Sequence, residues 1–401
     1  MAGITGMGTT FNLPNYAGEL FSLTPADTPL LSAIGGLTGG GMTSGVEFEW
    51  ETYDLRDPGQ NTQVEGATAP TGVARVRANV RNVAQIHQSK VSVSYTKQAA
   101  TGQLATPGAA PFRSVDGSNP VGNELDWQVA QELKSIALDV NWSFVNGQFA
   151  NPTTNATARK TRGLLAAVTT NRISKATAVT GATSATDTIT STGHGLVDGD
   201  KIVFRDTSTA TGIVAGRTYF VDQIDANTFK VSASLGGTAI TLGTATGISY
   251  VKPTGTATAT TDIDNLLQLA YDNGGISEQA TATLIVNSSQ KRGITKAYAD
   301  AYGKSVMITE GNRNVGGVSV DTIETDFGRL GIMMDRHVPQ DTIIVCSLEQ
   351  LRPVFLNVPG KGHLFVEPLA KVGASEKYQI YGEVGLEYGP EVYHGAIKDL
   401  S

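Results

Sequence analysis

The sequence predicts an α+β fold with an additional all-β segment, and three patterns support this prediction. Apolar residues recur at spacings of three and four over residues 119–147, which is typical of a helix. Apolar and acidic residues alternate strictly over residues 46–51, which is typical of a strand. Over residues 174–252, Thr, Ser, Ala and Gly dominate and short strand-like runs replace helical periodicity. A chain of 401 residues is long enough to bury a large core and to form two or three domains.

Residues 1–44 are rich in glycine and contain only short apolar pieces. Such a segment cannot bury enough of itself to fold alone, so we expect either disorder or an arm that becomes ordered against another surface. Within it, the run from Thr24 to Gly35 predicts a short helix. Asp27 or Thr28 can cap that helix, with Pro29 at its first position.

Residues 45–98 predict a long hairpin with one acidic and one basic strand. A further alternating strand is predicted from Lys90 to Thr96. A lone hairpin is marginally stable in water, so other surfaces must cover its faces. The charges permit two interpretations that can both hold: cross-strand pairing within one sheet, or contacts with a neighbouring subunit. The candidate contact residues are Glu47, Glu49, Glu51, Arg75, Arg77 and Arg81.

A helix over residues 119–147, called the spine helix below, is the longest predicted element. Asn119 can cap it, Pro120 suits its first position, and Asn146-Gly147 can end it if the glycine takes the left-handed conformation. Its length would be about 40 Å. Trp127 and Trp142 lie off the apolar stripe, so we expect more than one face of this helix to contact protein.

The remaining chain predicts a β module followed by a mixed α/β region. In the module, a hairpin is expected around Asp225-Ala226-Asn227. After it, Asp262 is expected to cap a helix that ends before Gly274, and a buried strand and a second helix follow. Two strands are then expected around the turn R-H-V-P-Q, and long alternating strands close the fold after residue 375.

The residues that carry catalytic or metal chemistry form no recognisable constellation. The five histidines are scattered, with no H-x-x-x-H or H-x-H pair, and each is expected to be a structural or surface residue rather than a metal ligand. Asp198-Gly199-Asp200 lacks the other ligands of a calcium loop and predicts a turn instead. Gly39-Gly40-Gly41 is not followed by the Lys of a phosphate-binding loop. Cys346 lies in an apolar strand, which predicts a buried, inert thiol.

Composition excludes several further classes of protein. A single cysteine excludes a disulfide within the chain, and a net charge of −7 does not indicate a nucleic-acid-binding protein. The N-terminus has no secretory signal pattern, and no apolar run is long enough to span a membrane. We therefore expect no enzymatic activity, no cofactor, no metal and no membrane contact.

Several phrases resemble the major capsid protein of tailed double-stranded DNA bacteriophages, of the Hong Kong 97 type. They are D-T-P-L-L-S-A-I-G, L-I-V-N-S-S-Q-K-R, D-R-H-V-P-Q-D-T-I-I-V-C-S-L-E-Q-L-R-P-V-F and I-Y-G-E-V-G-L-E-Y-G-P-E-V-Y-H-G-A-I-K-D-L. The resemblance covers nearly the whole chain outside residues 174–252. That segment resembles a β module with a G-H-G-L-x-x-G-D signature that is inserted in phage structural proteins.

The resemblance implies six segments and an assembly role. The chain would form hexamers and pentamers of an icosahedral virion shell around double-stranded DNA, assembled in the bacterial host cytoplasm. Portal, scaffolding and decoration proteins would be partners. Because the arm starts at Met1, either the scaffold is a separate protein or the sequence is a mature form that begins with methionine. The alternative is a tail or decoration protein with the same insert. The implied segments are an N-terminal arm (1–44), an extended loop (45–98), a peripheral domain with the spine helix (99–173), an outward-projecting β insertion domain (174–252), an axial domain (253–375) and a return to the peripheral domain (376–401).

Overall fold

The computed structural model describes residues 25–99, 124–179, 181–183, 186–208, 210–253, 257–276, 282–302 and 321–400. The chain forms two compact units, each built from separate stretches of sequence. Unit 1 comprises Met1–Gly163 with Arg352–Glu387, and unit 2 comprises Leu164–Leu351 with Tyr388–Ser401. Residues 1–24 of the predicted arm, the Gly/Pro-rich linker after residue 99 and the predicted cap Asn119-Pro120 lie outside the described residues.

The described residues contain six α-helices and twenty strands. The helices are α1 (Pro29–Ala33), α2 (Tyr95–Ala99), α3 (Glu124–Asn146), α4 (Leu164–Ala167), α5 (Thr260–Asp272) and α6 (Ser288–Tyr302). The strands are β1 (Gly41–Thr43), β2 (Glu47–Tyr53), β3 (Arg77–Val83), β4 (Gln85–Ser94), β5 (Arg172–Ser174), β6 (Thr177–Ala178), β7 (Gly181–Thr183), β8 (Thr188–Thr190), β9 (Lys201–Asp206), β10 (Thr218–Gln223), β11 (Thr228–Ser232), β12 (Ser249–Val251), β13 (Ala282–Val286), β14 (Thr322–Thr325), β15 (Gly328–Met334), β16 (Ile343–Ser347), β17 (Arg352–Leu356), β18 (Leu364–Pro368), β19 (Ser375–Glu387) and β20 (Gly395–Lys398).

Unit 1 is organised around β19, the longest strand among the described residues. One edge of β19 pairs with β17 and β18, the other edge pairs with β4 over ten residues, and β1 adds to β17 in parallel. The strand predicted from Lys90 to Thr96 therefore exists as β4 up to Ser94, whereas Tyr95 and Thr96 begin α2. The partner of β4 lies almost 300 residues further along the chain. The spine helix α3 packs on β4 and β19 and buries Ile136, Val140 and Phe144 there.

The apolar stripe predicted for the spine helix is confirmed, and the reason given for its end is wrong. The helix ends at Asn146 as expected, but Gly147 does not have a positive φ. A Cβ on Gly147 would lie 2.4 Å from the Ser143 carbonyl oxygen and 2.5 Å from that of Thr161. Close backbone approach, rather than a left-handed conformation, therefore requires glycine here. The short helix α1 begins at Pro29 as predicted, and its Leu31 amide donates to Asn141 Oδ1 of the spine helix at 2.9 Å.

Unit 2 contains a mixed six-stranded sheet in the order β14-β15-β13-β16-β20-β5. Helices α5 and α6 cover it, and their apolar residues share one core with its strands. The predicted cap of α5 is wrong: the helix begins at Thr260, and Asp262 occupies the third helical position. From there its carboxylate accepts the Ala259 amide at 3.2 Å and pairs with Lys175 at 2.5 Å. A carboxylate in the first turn satisfies free amides almost as a cap does, so both positions suit aspartate.

Unit 2 also contains a seven-stranded sheet within residues 177–251, in the order β6-β12-β9-β10-β11-β8-β7. The predicted hairpin is confirmed as β10 and β11, and Asp225 Oδ1 accepts the amides of Asn227 and Thr228 at 2.7 Å in its turn. The sheet has a core of its own. That core includes Ile189, Ile202, Phe204, Tyr219, Phe229, Val231 and Tyr250.

The G-H-G-L-x-x-G-D signature ties a loop of this module to the β10–β11 turn. His194 Nδ1 accepts the Leu196 amide at 3.0 Å, so the proton lies on Nε2, which donates to the Asp225 carbonyl oxygen at 3.0 Å. The Gly193 amide donates to Asn227 Oδ1 at 3.0 Å. Asp200 accepts the Val197 amide at 2.9 Å and the Lys252 ammonium at 2.6 Å. Each polar side chain of the signature therefore has a structural partner.

Ionic contacts connect this module to the mixed sheet of unit 2. Arg205 of β9 pairs with Asp341 at 2.8 Å and with Asp399 at 3.4 Å. The last predicted segment, 376–401, is divided between the two units, because β19 belongs to unit 1 and β20 to unit 2. The six segment boundaries themselves stay predictions.

Candidate assembly interface

The predicted charged hairpin exists as the two-stranded sheet of β2 and β3. The register runs from Glu47 opposite Val83 to Tyr53 opposite Arg77. Because side chains alternate along a strand, Glu47, Glu49 and Glu51 lie on the same face as residues 77, 79 and 81 of β3. The other face carries Phe48 and Trp50, so the amphipathic pattern in the sequence is realised in the fold.

Four of the six candidate residues pair across this face within one chain. Arg77 binds Glu51 at 2.7 Å and Arg81 binds Glu47 at 3.1 Å. The third acid, Glu49, accepts a hydrogen bond from Asn79 Nδ2 at 3.1 Å. All are solvent-accessible, so each ion pair contributes at most about 1 kcal/mol to folding. Cross-strand pairing within the sheet is therefore one observed role of these charges.

Arg75 lies before the start of β3 and is exposed. Within the part of the chain that the structure describes, it has no ion pair. The structure thus brings Glu47, Glu49, Glu51, Arg77 and Arg81 together on one face and leaves Arg75 beyond it. Contacts of these residues with a neighbouring subunit stay a prediction.

The connection between β2 and β3 is exposed along its whole length, from residue 54 to residue 76. It carries large apolar side chains that no other described part of the chain covers. A single exposed apolar residue needs no explanation, but a series of them along an extended arm indicates a surface that another molecule covers. The exposed apolar residues at the strand end and in the connection are Tyr53 (67% exposed), Leu55 (77%), Val64 (79%), Val73 (77%) and Val76 (83%).

The base of the hairpin is anchored by Asn82, which sequence reasoning missed. Its side chain is fully buried and makes four hydrogen bonds. Nδ2 donates to the carbonyl oxygens of Leu386 at 2.7 Å and Arg162 at 3.1 Å. Oδ1 accepts the amides of Val83 at 2.9 Å and Arg162 at 2.8 Å. The only signal in the sequence is an asparagine within a strand, a residue type that strands disfavour.

Phe48 completes the anchor by packing on the backbone of β19. A Cβ on Gly385 would lie 2.6 Å from Phe48 Cε1 and 2.7 Å from the Val83 carbonyl oxygen. Glycine is therefore required at residue 385 because the aromatic ring occupies the space of a side chain. One end of the hairpin is thus fixed to unit 1, and the other end extends into solvent.

Two titratable groups of unit 1 are perturbed by burial. Desolvation lowers the pKa of His87, on β4, to about 4, and its Nε2 has no hydrogen-bond partner among the described residues. Burial and a hydrogen bond to Glu383 raise the pKa of Tyr381 to about 12. Glu383 also pairs with Arg159 at 2.9 Å. His87 is buried in unit 1 and Tyr381 is half-buried there.

The described residues contain no candidate metal centre. No group of three or more His, Cys, Asp or Glu residues there is arranged to hold a metal. Asp198 and Asp200 serve the predicted turn, since Asp198 Oδ1 accepts the Gln223 amide at 2.5 Å. Cys346 is buried in β16 as expected, and burial raises the pKa of its thiol. Among the described helices, none is long and apolar enough to cross a membrane.

The comparison with protein families decides between the candidate functions. The profile of the SU10 major capsid protein family matches residues 3–401. The chain belongs to the SU10 major capsid protein family. The prediction of a major capsid protein, a structural protein of the icosahedral phage shell, is confirmed, and a tail or decoration protein is not favoured.

Solved capsid structures share the fold of this SU10-type capsid protein. The capsid of cyanophage A-1(L) is 10% identical, with a TM-score of 0.56, and the match covers 99% of both chains. The capsid of a native GTA particle is 11% identical, with a TM-score of 0.50, over 99% of this chain and 98% of that one. The predicted Hong Kong 97-type fold is therefore confirmed. None of the curated proteins matches the chain.

Proposed function

We propose that this capsid protein forms hexamers and pentamers of a closed shell that encloses double-stranded DNA without sequence specificity, and that it has no enzymatic activity. The observation that carries the proposal is the hairpin of β2 and β3, with its exposed 54–76 connection. An arm with large uncovered apolar residues gains burial when a second copy covers it, so assembly stabilises the subunit.

The six segments take the roles that the resemblance implies. The extended loop, residues 45–98, reaches over a neighbouring subunit, and the β insertion domain, residues 174–252, projects from the outer surface. A portal protein, a scaffolding protein and a decoration protein are the partners, and the shell assembles in the host cytoplasm. The self-contained core of the seven-stranded sheet supports an insertion domain, because it needs no burial from the shell.

The first experiment is negative-stain microscopy of the chain expressed alone and with its neighbouring phage genes. We expect closed shells, or hexamers and pentamers. The R75Q/R77Q/R81Q variant is expected to stop at capsomers or smaller species. A K201Q/R217Q/K230Q variant, which removes the same charge from the seven-stranded sheet, is expected to form shells. A monodisperse monomer under every condition would exclude the proposal.

A charge swap separates pairing within the chain from contact between chains. The E51R/R77E variant keeps the observed ion pair but reverses the charge at each position. If Glu51 and Arg77 serve only their own hairpin, the swap restores the assembly that R77E alone loses. If they also contact a neighbour, the swap does not restore it. We expect no restoration, with unfolding of the unassembled swapped subunit unchanged within about 0.5 kcal/mol.

A further inference from the structure

Helix α6 presents two chemically different faces. One face is buried in the core of unit 2 and carries Gln290, Ile294 and Tyr298 at intervals of four residues. The opposite face borders an open groove of about 660 Å³, whose described lining residues all belong to α6, from Ser289 to Ala299. At about 1.5 Å per residue, this lining extends roughly 15 Å along the helix.

The groove face is cationic although the chain has a net charge of −7. Arg292 and Lys296 are exposed, and neither has a carboxylate partner in the described part of the chain. Lys291, beside them, pairs with Asp321 at 3.4 Å. Among the described residues that line the groove, none is acidic; the other polar side chains there are the hydroxyls of Ser289 and Thr295.

We propose that this face of α6 contacts phosphate groups of the packaged nucleic acid. The inference rests on the proposed function, since it requires the shell to enclose nucleic acid. Lys, Arg, Ser and Thr side chains are the groups that contact nucleic-acid phosphates, and such contacts carry no sequence information. Arg292 and Lys296 are one helical turn apart, so their side chains are neighbours along the groove. An open groove several residues long, with two exposed cations and no acidic side chain among its described lining residues, fits a row of anions better than the single carboxylate of a neighbouring subunit.

The inference is tested with the full-length unassembled chain and a fluorescent double-stranded DNA fragment of mixed sequence. Binding is measured by anisotropy between about 50 and 200 mM salt. Each lost phosphate contact reduces the slope of log affinity against log salt by about 0.9, so R292Q/K296Q should reduce it by about 2. The control K201Q/R217Q removes two exposed cations from the seven-stranded sheet and should keep the wild-type slope. R292K/K296R keeps both charges and should also keep it.

Assembly of the same variants separates this inference from the proposed function. We expect R292Q/K296Q to form shells that hold less nucleic acid than shells of the control. Normal shells with unchanged DNA binding and content would overturn the α6 inference alone. Loss of shells with unchanged DNA binding would also overturn it, since the face would then be a contact between copies. If the wild-type chain forms no shells, the proposed function itself fails.

Discussion

The seven-stranded sheet and the β2–β3 hairpin are both antiparallel, yet they differ in where their apolar residues are buried. The seven-stranded sheet contains its own apolar core, in which Phe204, Phe229 and Tyr250 are buried. Its turns are closed by its own side chains, as His194 and Asp225 show. The hairpin has two strands, an exposed connection and one anchored end. The two regions therefore differ in the apolar area that each buries within itself and not in strand geometry. The sheet is stabilised by its own core, whereas the hairpin depends on other surfaces.

Removing core volume from the seven-stranded sheet should have the largest effect. Phe229 is fully buried and contacts His194 and Tyr250 edge-on, so Phe229→Ala should destabilise the sheet by about 3–5 kcal/mol. Hydrogen exchange of peptides from residues 201–232 in the full chain measures this loss. Tyr53→Ala, at an exposed hairpin position, is the control. It should change the free energy of opening derived from the exchange of the same peptides by less than about 0.5 kcal/mol. Equal effects of the two variants would contradict the conclusion that the seven-stranded sheet is stabilised by its own core.

Breaking the anchor of the hairpin should be next in size. Asn82→Ala leaves the buried partners of four hydrogen bonds unsatisfied, which should destabilise unit 1 by about 2–4 kcal/mol. All three tryptophans, Trp50, Trp127 and Trp142, belong to unit 1, so denaturant unfolding followed by tryptophan fluorescence reports it.

Asn79→Ala is the matched control, because Asn79 is an exposed asparagine of the same strand with one hydrogen bond, to Glu49. It should cost less than about 0.5 kcal/mol. If Asn82→Ala were equally harmless, the hairpin base would not be the anchor that the structure indicates.

Acid should weaken unit 1 before it weakens the seven-stranded sheet. The pKa of His87 falls from 6.5 to about 4 on folding, so the unfolded chain binds more protons between these values. Stability is therefore fully present above the unfolded value and declines as the pH falls through that window, by about 2 kcal/mol at pH 5. His87→Phe should remove this decline from the fluorescence-detected unfolding.

The carboxylates of the seven-stranded sheet respond in a lower window. Hydrogen bonds and an ion pair with Lys252 hold the pKa of Asp200 below its usual range, and backbone amides do the same for Asp225. Their contribution is present above the unfolded value and is lost only as the pH falls below it. Hydrogen exchange of this sheet should therefore be unchanged between pH 6.5 and 4, after correction for the intrinsic rate. Parallel loss in both regions would contradict these assignments.

The parts of the fold that were predicted correctly have local patterns. The alternation from Glu47 to Glu51, the Asp225 turn and the spine-helix stripe each place their signal within a few residues. The cap of α5 was misplaced because aspartate suits both the cap and the third helical position, and Asp262 occupies the latter.

The parts that the sequence could not provide depend on contacts between distant residues. Nothing near β4 indicates that it pairs with β19, and nothing near Asn82 indicates its bond to Leu386. At the candidate site, the sequence predicted the shared face correctly for five of the six charged residues, because strand periodicity determines it; Arg75 was wrongly included, because β3 begins only at Arg77. It did not predict their individual partners, because a pairing register depends on both strands.

The smallest expected effect is that of the hairpin ion pair. It tests most directly whether the charged face of the hairpin also contacts neighbouring copies. In a double-mutant cycle with Glu51→Gln and Arg77→Gln, the coupling within the unassembled subunit should be about 0.5 kcal/mol, because both side chains are exposed. If neighbouring copies bury the pair, the same cycle measured on shell dissociation should give a larger coupling, because desolvated charges left without a partner are costly. Equal couplings in the two states would mean that the arm relies on its exposed apolar residues alone, and that the charges serve the hairpin and not the shell.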